Sequence, residues 1–506
     1  MRGKALMVQG TMSGAGKSLL VAGLCRILAQ DGVSVAPFKS QNMALNSFVT
    51  RNGQEMGRAQ VTQAEAAGIE PHANMNPVLL KPTSNTGSQV IVQGKPVATM
   101  SAREYFAFRH TLRKPIMESF NALQERFDVV LIEGAGSPVE LNLKRDDIVN
   151  MGMARMAHAP VLLVGDIDRG GVFAQLIGTI MLLEEEERKL VRASVVNKFR
   201  GDVSLFEDGV RMLEERMGIP VAGVVPYLQV QVDEEDSAGE RLDVRSGQEE
   251  HAPAFVDVAV LRLPRISNFT DFSALDAMDD VRVRYVRSTR ELGTPDLLIL
   301  PGTKSTLDDL RWLRDQGLDT VVQQAARKGI PVLGICGGYQ MLGTEVADPS
   351  GTDGGGTERG LGLLPVRTEF GTHKRTTQSE GTFCAVDGVL SSLSHHAVCG
   401  YEIHAGKTVR EGGSPLLLLK QGEGAPFEDG CALHNVYGTY LHGLFDEQEV
   451  AQALVQALMI AKGIGEYETH AQDMAAYRQR QYDLLADGLR KSLNMDLIYS
   501  ILEEGV

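Results

Sequence analysis

The sequence has no closely spaced pair of cysteines. Its five, Cys25, Cys336, Cys384, Cys399 and Cys431, are scattered, odd in number and never arranged as CxxC. That excludes a disulfide framework and a cysteine zinc site, and it fits a reducing compartment. Long apolar runs are missing too, none approaching the ~20 residues a membrane helix needs. The start, Met1 to Lys4, leads into a short apolar run and a glycine-rich loop rather than the longer apolar region and small-residue cleavage site of a signal peptide. A soluble cytoplasmic protein is expected. Positive charge is short: 50 Lys+Arg against 65 Asp+Glu leave a net charge of -15. Such a surface argues against nonspecific nucleic-acid or anionic-membrane partners. An anionic small substrate, which feels only local fields, stays open.

What is present is ordinary globular composition. Hydrophobic residues at 43% and charged residues at 23% can bury sizeable cores, which excludes disordered and fibrous architectures. No repeat at a fixed period occurs. The first half alternates short apolar runs (Ala5–Gln9, Val33–Phe38, Val129–Glu133, Val161–Gly165, Ala193–Asn197) with longer amphipathic stretches. This predicts a parallel sheet covered on both faces. A polar, charged stretch around 231–253 reads as a linker. A second alternating region follows, with Val256–Leu261, Val281–Tyr285, Leu297–Leu300 and Val332–Gly334 as strands. Hairpin-like segments come after Gly362, Asp348–Gly360 reads as an exposed loop, and Gln448–Lys462 and Met474–Leu502 read as helices. The expected domains are 1–235, a linker at 236–252, a second domain at 253–450 and a helical extension at 451–506 that belongs with the second domain. The oligomeric state is not fixed by the sequence, and a homo-oligomer is compatible with it.

Gly10-Thr-Met-Ser-Gly14-Ala-Gly16-Lys17-Ser18 lies between a strand and a helix. In that context backbone N–H groups and the helix N-terminus wrap a phosphate chain. Gly14 and Gly16 shape the loop, Lys17 reaches the β/γ phosphates of ATP, and Ser18 ligates Mg2+. Thr11 stands where the usual spacing has its first glycine. Glu133, at the end of Val129–Glu133, is the leading further Mg2+ ligand, because ligands bind beyond strand C-termini in such sheets; the alternative is an acid capping the glycine turn. Asp166 and Asp168 are second-rank candidates of the same kind. Asn197 can offer a donor and an acceptor to a base edge; the alternative is a turn residue.

Val332-Leu-Gly-Ile-Cys336-Gly337-Gly338 is a strand entering a tight glycine turn and then a helix, the geometry of a nucleophile elbow. That placement favours a thiolate. Gly337 and Gly302, the latter beyond the strand Leu297–Leu300, would supply N–H groups to an oxyanion. Tyr440-Leu-His442-Gly443 supplies a histidine close only in the fold, with His404 as a competing base. Cys336 and His442 together suit thiolate attack on a carbonyl.

The phosphate loop, with its longer spacing, resembles dethiobiotin synthetase and its relatives, and the strand ending at Asn197 is similar to the segment that contacts adenine there. The elbow resembles class I glutamine amidotransferase domains. The usual Glu two residues after the histidine is replaced by Leu444. A branch lacking that Glu, with the amidotransferase fused behind a dethiobiotin-synthetase-like domain, is the corrinoid amidase family. Pro37-Phe-Lys39-Ser-Gln41-Asn42-Met43, Gly57-Arg58-Ala59-Gln60, Met75-Asn76-Pro77, Asp147-Ile-Val-Asn150-Met151-Gly152 and Tyr401-Glu-Ile-His404 look like the members that amidate the b, d, e and g carboxylates of adenosylcobyrinic acid a,c-diamide. The same strings disfavour the members that make the a,c-diamide. A positioning ATPase with a non-catalytic C-terminal module is disfavoured by the Cys336 elbow. The resemblance implies ATP, Mg2+, glutamine and a corrinoid as small-molecule partners. It implies Lys39 near the phosphates and Asp147 as an acid aiding the substrate carboxylate or the incoming ammonia; a helix N-terminal charge is the alternative for Asp147. It leaves open what orients His442, a backbone carbonyl or an acid such as Glu402, and what holds a polycarboxylate on an acidic protein. Arg58, Lys81, Arg103 and Arg109 are candidates for the latter.

Overall fold

The computed structural model describes residues 3–83, 87–232, 255–465 and 469–506. The chain forms two compact units, Met1–Ala44 with Glu55–Ala238 and Arg478–Val506, and Leu45–Gln54 with Gly239–Tyr477. The stretch expected as a linker, 236–252, lies outside the described residues.

The first unit is built on a six-stranded parallel sheet in the order Val221–Pro226, Val191–Phe199, Val161–Asp166, Lys4–Gly10, Val129–Glu133, Val35–Phe38. Its central strands are near-continuous apolar runs because helices cover both faces. The helix Lys17–Gln30 follows the central strand directly, so the loop between them sits over the carboxyl end of the sheet. A smaller four-stranded sheet combines Gln41–Met43, Val78–Pro82, Gly87–Val92 and Lys95–Ser101.

The second unit holds another six-stranded sheet, Val281–Val286, Val256–Leu261, Leu297–Leu300, Val332–Ile335, Val436–Thr439 and Cys431–Leu433; only the last pairs antiparallel. The hairpin-rich region expected after Gly362 is a second sheet dominated by the long antiparallel pair Val366–Phe383 and Ala397–Arg410. The α/β class expected for both halves is what the chain adopts.

Two expectations need correction. The stretch 348–360 is not simply a loop: Glu345–Asp348 and Gly356–Arg359 form a hairpin. Asp348 holds its turn by accepting from the amides of Thr352, Asp353 and Gly355, and buried Asp353 accepts from the Leu307 amide. The helical tail, assigned whole to the second half, is divided. Gln448–Ala461 places Val450, Leu454, Val455 and Leu458 in the core of the second unit. Met474–Ser492 and Met495–Glu504 place Tyr482, Leu485, Leu489, Ile498 and Ile501 in the core of the first, among Leu20, Leu24 and Ile27. An apolar stripe tells that a helix is covered, not by which core.

The fit there is close. A Cβ at Gly23 would lie 2.2 Å from Leu489 Cδ1. Leu485→Ala, at a fully buried position, is expected to destabilise the nucleotide unit by about 2–5 kcal/mol. Thermal denaturation should show the lower melting temperature.

Candidate active sites

In the first unit, Gly14 and Gly16 have φ of 74° and 88°, a left-handed region that glycine enters without Cβ strain. The loop they shape begins the helix at Lys17, whose Nζ donates to the Met12 carbonyl at 3.1 Å. Glu133 ends the neighbouring strand and is 1% exposed. Its Oε1 accepts from Ser18 Oγ at 2.8 Å and Lys39 Nζ at 2.9 Å. Its Oε2 accepts from Gln63 Nε2 at 2.6 Å and Gln60 Nε2 at 3.4 Å. Burial alone would raise the carboxyl pKa; the charge and hydrogen bond of Lys39, with those from Gln63 and Ser18, outweigh burial and hold it below the ordinary range. Lys17, Ser18, Lys39 and Glu133 are thus gathered at the carboxyl end of one sheet. Gln60 stood in a family string with no role assigned and Gln63 was not singled out; their shared face on the helix Arg58–Ala66 was the structural signal.

Ser18 and Glu133 offer a hydroxyl and a carboxylate, the hard oxygen donors Mg2+ uses alongside phosphates and water. Among the described residues there is no cluster of three or more His, Cys, Asp or Glu side chains able to hold a metal alone. Asp166 and Asp168 do not join the set. Asp166 accepts from the Asp168 and Arg169 amides and pairs with Lys198, while Asp168 pairs with Arg200. Asn197 donates Nδ2 to the Ala15 carbonyl at 2.9 Å. It walls the loop so closely that a Cβ at Gly16 would lie 2.2 Å from that nitrogen. Asp147 is used locally: Oδ1 accepts from the Val149 and Asn150 amides and Oδ2 from the Gly152 amide. This is the helix-starting alternative raised for it.

In the second unit, Cys336 follows the buried strand Val332–Ile335 with φ 51° and ψ -107°. A non-glycine residue is strained there, and the surroundings enforce it. The Cys336 amide donates to the Thr439 carbonyl and its carbonyl accepts from the Gln340 amide. Gly338 lets the turn approach Leu300, whose carbonyl oxygen would be 1.9 Å from a Cβ. Gly337 opens the helix Gly337–Leu342, where a backbone N–H has no acceptor within the helix. Gly302 lies against His442: a Cβ there would be 3.0 Å from Cε1. The two glycine turns meet at Thr303, whose Cγ2 would be 2.6 Å from a Cβ on Gly337. Thr303 Oγ1 in turn donates to Asp309, a carboxyl that burial pushes up to about 7.

His442 is 1% exposed. Its Nδ1 bonds Asp271 Oδ2 at 2.7 Å, and Asp271 Oδ1 accepts from the Gly443 amide at 3.1 Å. Nε2 makes no hydrogen bond among the described residues, while the Cys336 side chain is one of the groups that act on the charge of the ring. Burial would lower the imidazole pKa; Asp271 first, then Cys336, more than reverse this and raise it to about 10. Asp271 was missed in the sequence. It sits 171 residues before His442 in a short 3-10 turn, Phe269–Phe272, without any motif around it. Glu402 does not orient His442: it pairs with Arg375 at 2.9 Å, accepts from Ser379 at 2.9 Å and meets His404 Nε2 at 3.3 Å. His404 has its other nitrogen on the Gly406 carbonyl and its ring stacked on Tyr440, so neither of its nitrogens is available as a base. The geometry can perform thiol deprotonation and acyl transfer in the second unit, and phosphate binding beside a buried carboxylate in the first.

Comparison with known proteins agrees with that division. Residues 6–240 match the CobQ/CobB/MinD/ParA nucleotide binding domain and residues 257–450 match the CobB/CobQ-like glutamine amidotransferase domain. The pairing defines a glutamine amidotransferase fused to a nucleotide-binding domain. Cobyric acid synthase from Ruminiclostridium cellulolyticum is 53% identical, covering 99% of this chain and 98% of its own. That from Lachnoclostridium phytofermentans is 52% identical over 99% and 100%, and that from Salmonella heidelberg 49% over 99% of both. The chain belongs to the cobyric acid synthase family.

The raised pKa of His442 has a stability consequence with a definite sign. The contribution of its pair with Asp271 is complete below the unfolded value of about 6.5 and is lost as pH rises through about 10. The melting-temperature penalty of Asp271→Asn should therefore be largest near pH 6 and shrink steadily towards pH 10.

Proposed function

We propose that the chain uses glutamine and ATP to amidate the b, d, e and g carboxylates of adenosylcobyrinic acid a,c-diamide, giving adenosylcobyric acid. Full-length likeness to cobyric acid synthases supports this. The single observation that carries the mechanism is His442, held by a buried Asp271 and raised in pKa by it and in part by the strained Cys336 of the same unit.

With its pKa raised to about 10, His442 already holds the proton ceded by Cys336 on Nε2, and Asp271 accepts the Nδ1–H and stabilises the imidazolium, so the sulfur attacks as a thiolate. The thiolate attacks the glutamine side-chain amide carbon, and the Gly302 and Gly337 amides receive the developing oxyanion. His442 returns its proton to the departing nitrogen, leaving a glutamyl thioester on Cys336 and free ammonia. Water then hydrolyses the thioester to glutamate.

In the nucleotide unit, Gly14, Gly16 and Lys17 cradle the phosphates of ATP. Lys17 and Lys39 neutralise charge on the γ-phosphoryl as the substrate carboxylate takes it, forming an acyl phosphate and ADP. Asn197 holds the loop from behind. Ser18 and Glu133 would hold Mg2+, which would supply further neutralising charge to the phosphates. Ammonia attacks the acyl phosphate carbon and inorganic phosphate leaves, giving the amide. Five unpaired cysteines among the described residues fit a cytoplasmic setting for this chemistry. Its partners are these small molecules.

Cys336→Ala should abolish glutamine-dependent amidation while ammonium salts still support it; glutamine remaining a donor would remove Cys336 from the role. Lys17→Ala should stop turnover with either nitrogen source. Asp271→Asn should lower kcat for glutamine hydrolysis by about 10²–10⁴-fold with ammonia-driven amidation retained. Mass spectrometry of the corrinoid product should count four added amides.

A further inference from the structure

A net charge of -15 makes the binding of a polycarboxylate a local problem. Of the cations raised in the sequence for this task, two are already committed in the first unit. Lys81 is buried against Glu55 at 2.9 Å, and Arg58 lies 3.8 Å from Glu65. Nearby Lys144 is held by Glu184 and Glu187, and Arg113 reaches Asp146 at 4.0 Å.

Arg109 is different. Among the described residues it enters no ion pair. Its guanidinium carbon stands 4.9 Å from the centre of the Phe106 ring, and Nη2 makes a long contact of 3.4 Å to the Leu143 carbonyl. Its Nε is buried with no acceptor. A buried guanidinium N–H left unmade is costly, so this group is organised for an acceptor that the chain itself does not supply. Around it the surface is apolar and uncovered: Phe106 is 47% exposed and Leu143 40%. Tyr105, on the same helix Ala102–Phe108, donates its hydroxyl to Gln41.

The chain connects this face to the phosphate site twice. Lys39, on Glu133, is two residues from Gln41; the strand ending at Glu133 runs on to the 3-10 turn Leu141–Asp146 that carries Leu143. We propose that Arg109, with Phe106, Leu143, Tyr105 and Gln41, forms the subsite that holds a non-reacting peripheral carboxylate of the corrinoid, its ring edge against the apolar side chains. The proposal rests on the amidation reading above. A carboxylate completes the guanidinium with charge-assisted hydrogen bonds. The Tyr105–Gln41 pair can serve either a carboxylate or an amide, as a substrate that exchanges one for the other four times requires. Because each turnover removes a negative charge, the Arg109 contact is worth most to the earliest substrate.

The test is steady-state amidation with ammonium chloride as nitrogen donor, which leaves the glutaminase unit out of the measurement. Arg109→Met keeps the apolar stem and removes the charge. Its KM for adenosylcobyrinic acid a,c-diamide should rise about tenfold or more, while KM for ATP stays put. Arg109→Lys should recover part of the loss, and the KM penalty should shrink when partially amidated intermediates isolated by chromatography are the substrates. An unmoved corrinoid KM in Arg109→Met, a parallel rise in KM for ATP, or an equal penalty at every stage of amidation overturns the subsite. Wild-type protein that fails to amidate the corrinoid at all sinks the functional reading itself, and the subsite with it.

Discussion

A carboxylate removed from water must have its charge answered from within the protein, since its desolvation otherwise forces it to take up a proton. Each unit is arranged around one such group at the carboxyl end of its parallel sheet. Glu133 is answered by a lysine, a serine and two glutamines drawn from three separate segments. Asp271 is answered by the imidazole of His442 and the amide that follows it. Both carboxylates are almost wholly buried, so removing a partner leaves a charge with nowhere to go. The residues gathered around these two carboxylates therefore also hold their surroundings in place.

The two groups solve the problem with opposite dispositions. Glu133 is stabilised as an anion by a fixed cation, the Lys39 ammonium, and by neutral hydrogen-bond donors. Asp271 is stabilised by a group whose own charge it creates: it lifts the proton affinity of His442 far above that of a free imidazole. Backbone strain at Cys336 works alongside this. The positive φ turns the thiol out of the strand line, and the glycines at 337 and 338 admit the neighbouring strand end close enough for the two turns to meet.

Much of this was legible because it is local. A strand, a glycine-rich turn and a helix in sequence define both the phosphate loop and the elbow, and short apolar runs define parallel strands whatever follows them. The family strings around Lys39 and Asp147 carried further information, although Asp147 turned out to serve its own helix start through three backbone amides. What was not legible is long-range pairing between residues of ordinary context. Asp271 lies in a turn with no distinguishing spacing, and its partner is 171 residues away. Gln63 looks like any polar position on a short helix, and the family string that contains Gln60 does not say what it touches. The terminal helices announce an apolar stripe without naming the core that receives it.

That last point reaches into how the molecule is made. The nucleotide-binding unit contains both the first residues of the chain and the last, with Ile498 and Ile501 packed in the same core as Leu6 and Val8. A ribosome moving from the amino end therefore delivers the phosphate loop well before the helices Met474–Ser492 and Met495–Glu504 that complete its hydrophobic support. The amidotransferase unit, by contrast, has its whole central sheet available once residue 439 has emerged. A polypeptide cut short before Tyr482 would leave Leu20, Leu24 and Ile27 without part of the packing that completes their core.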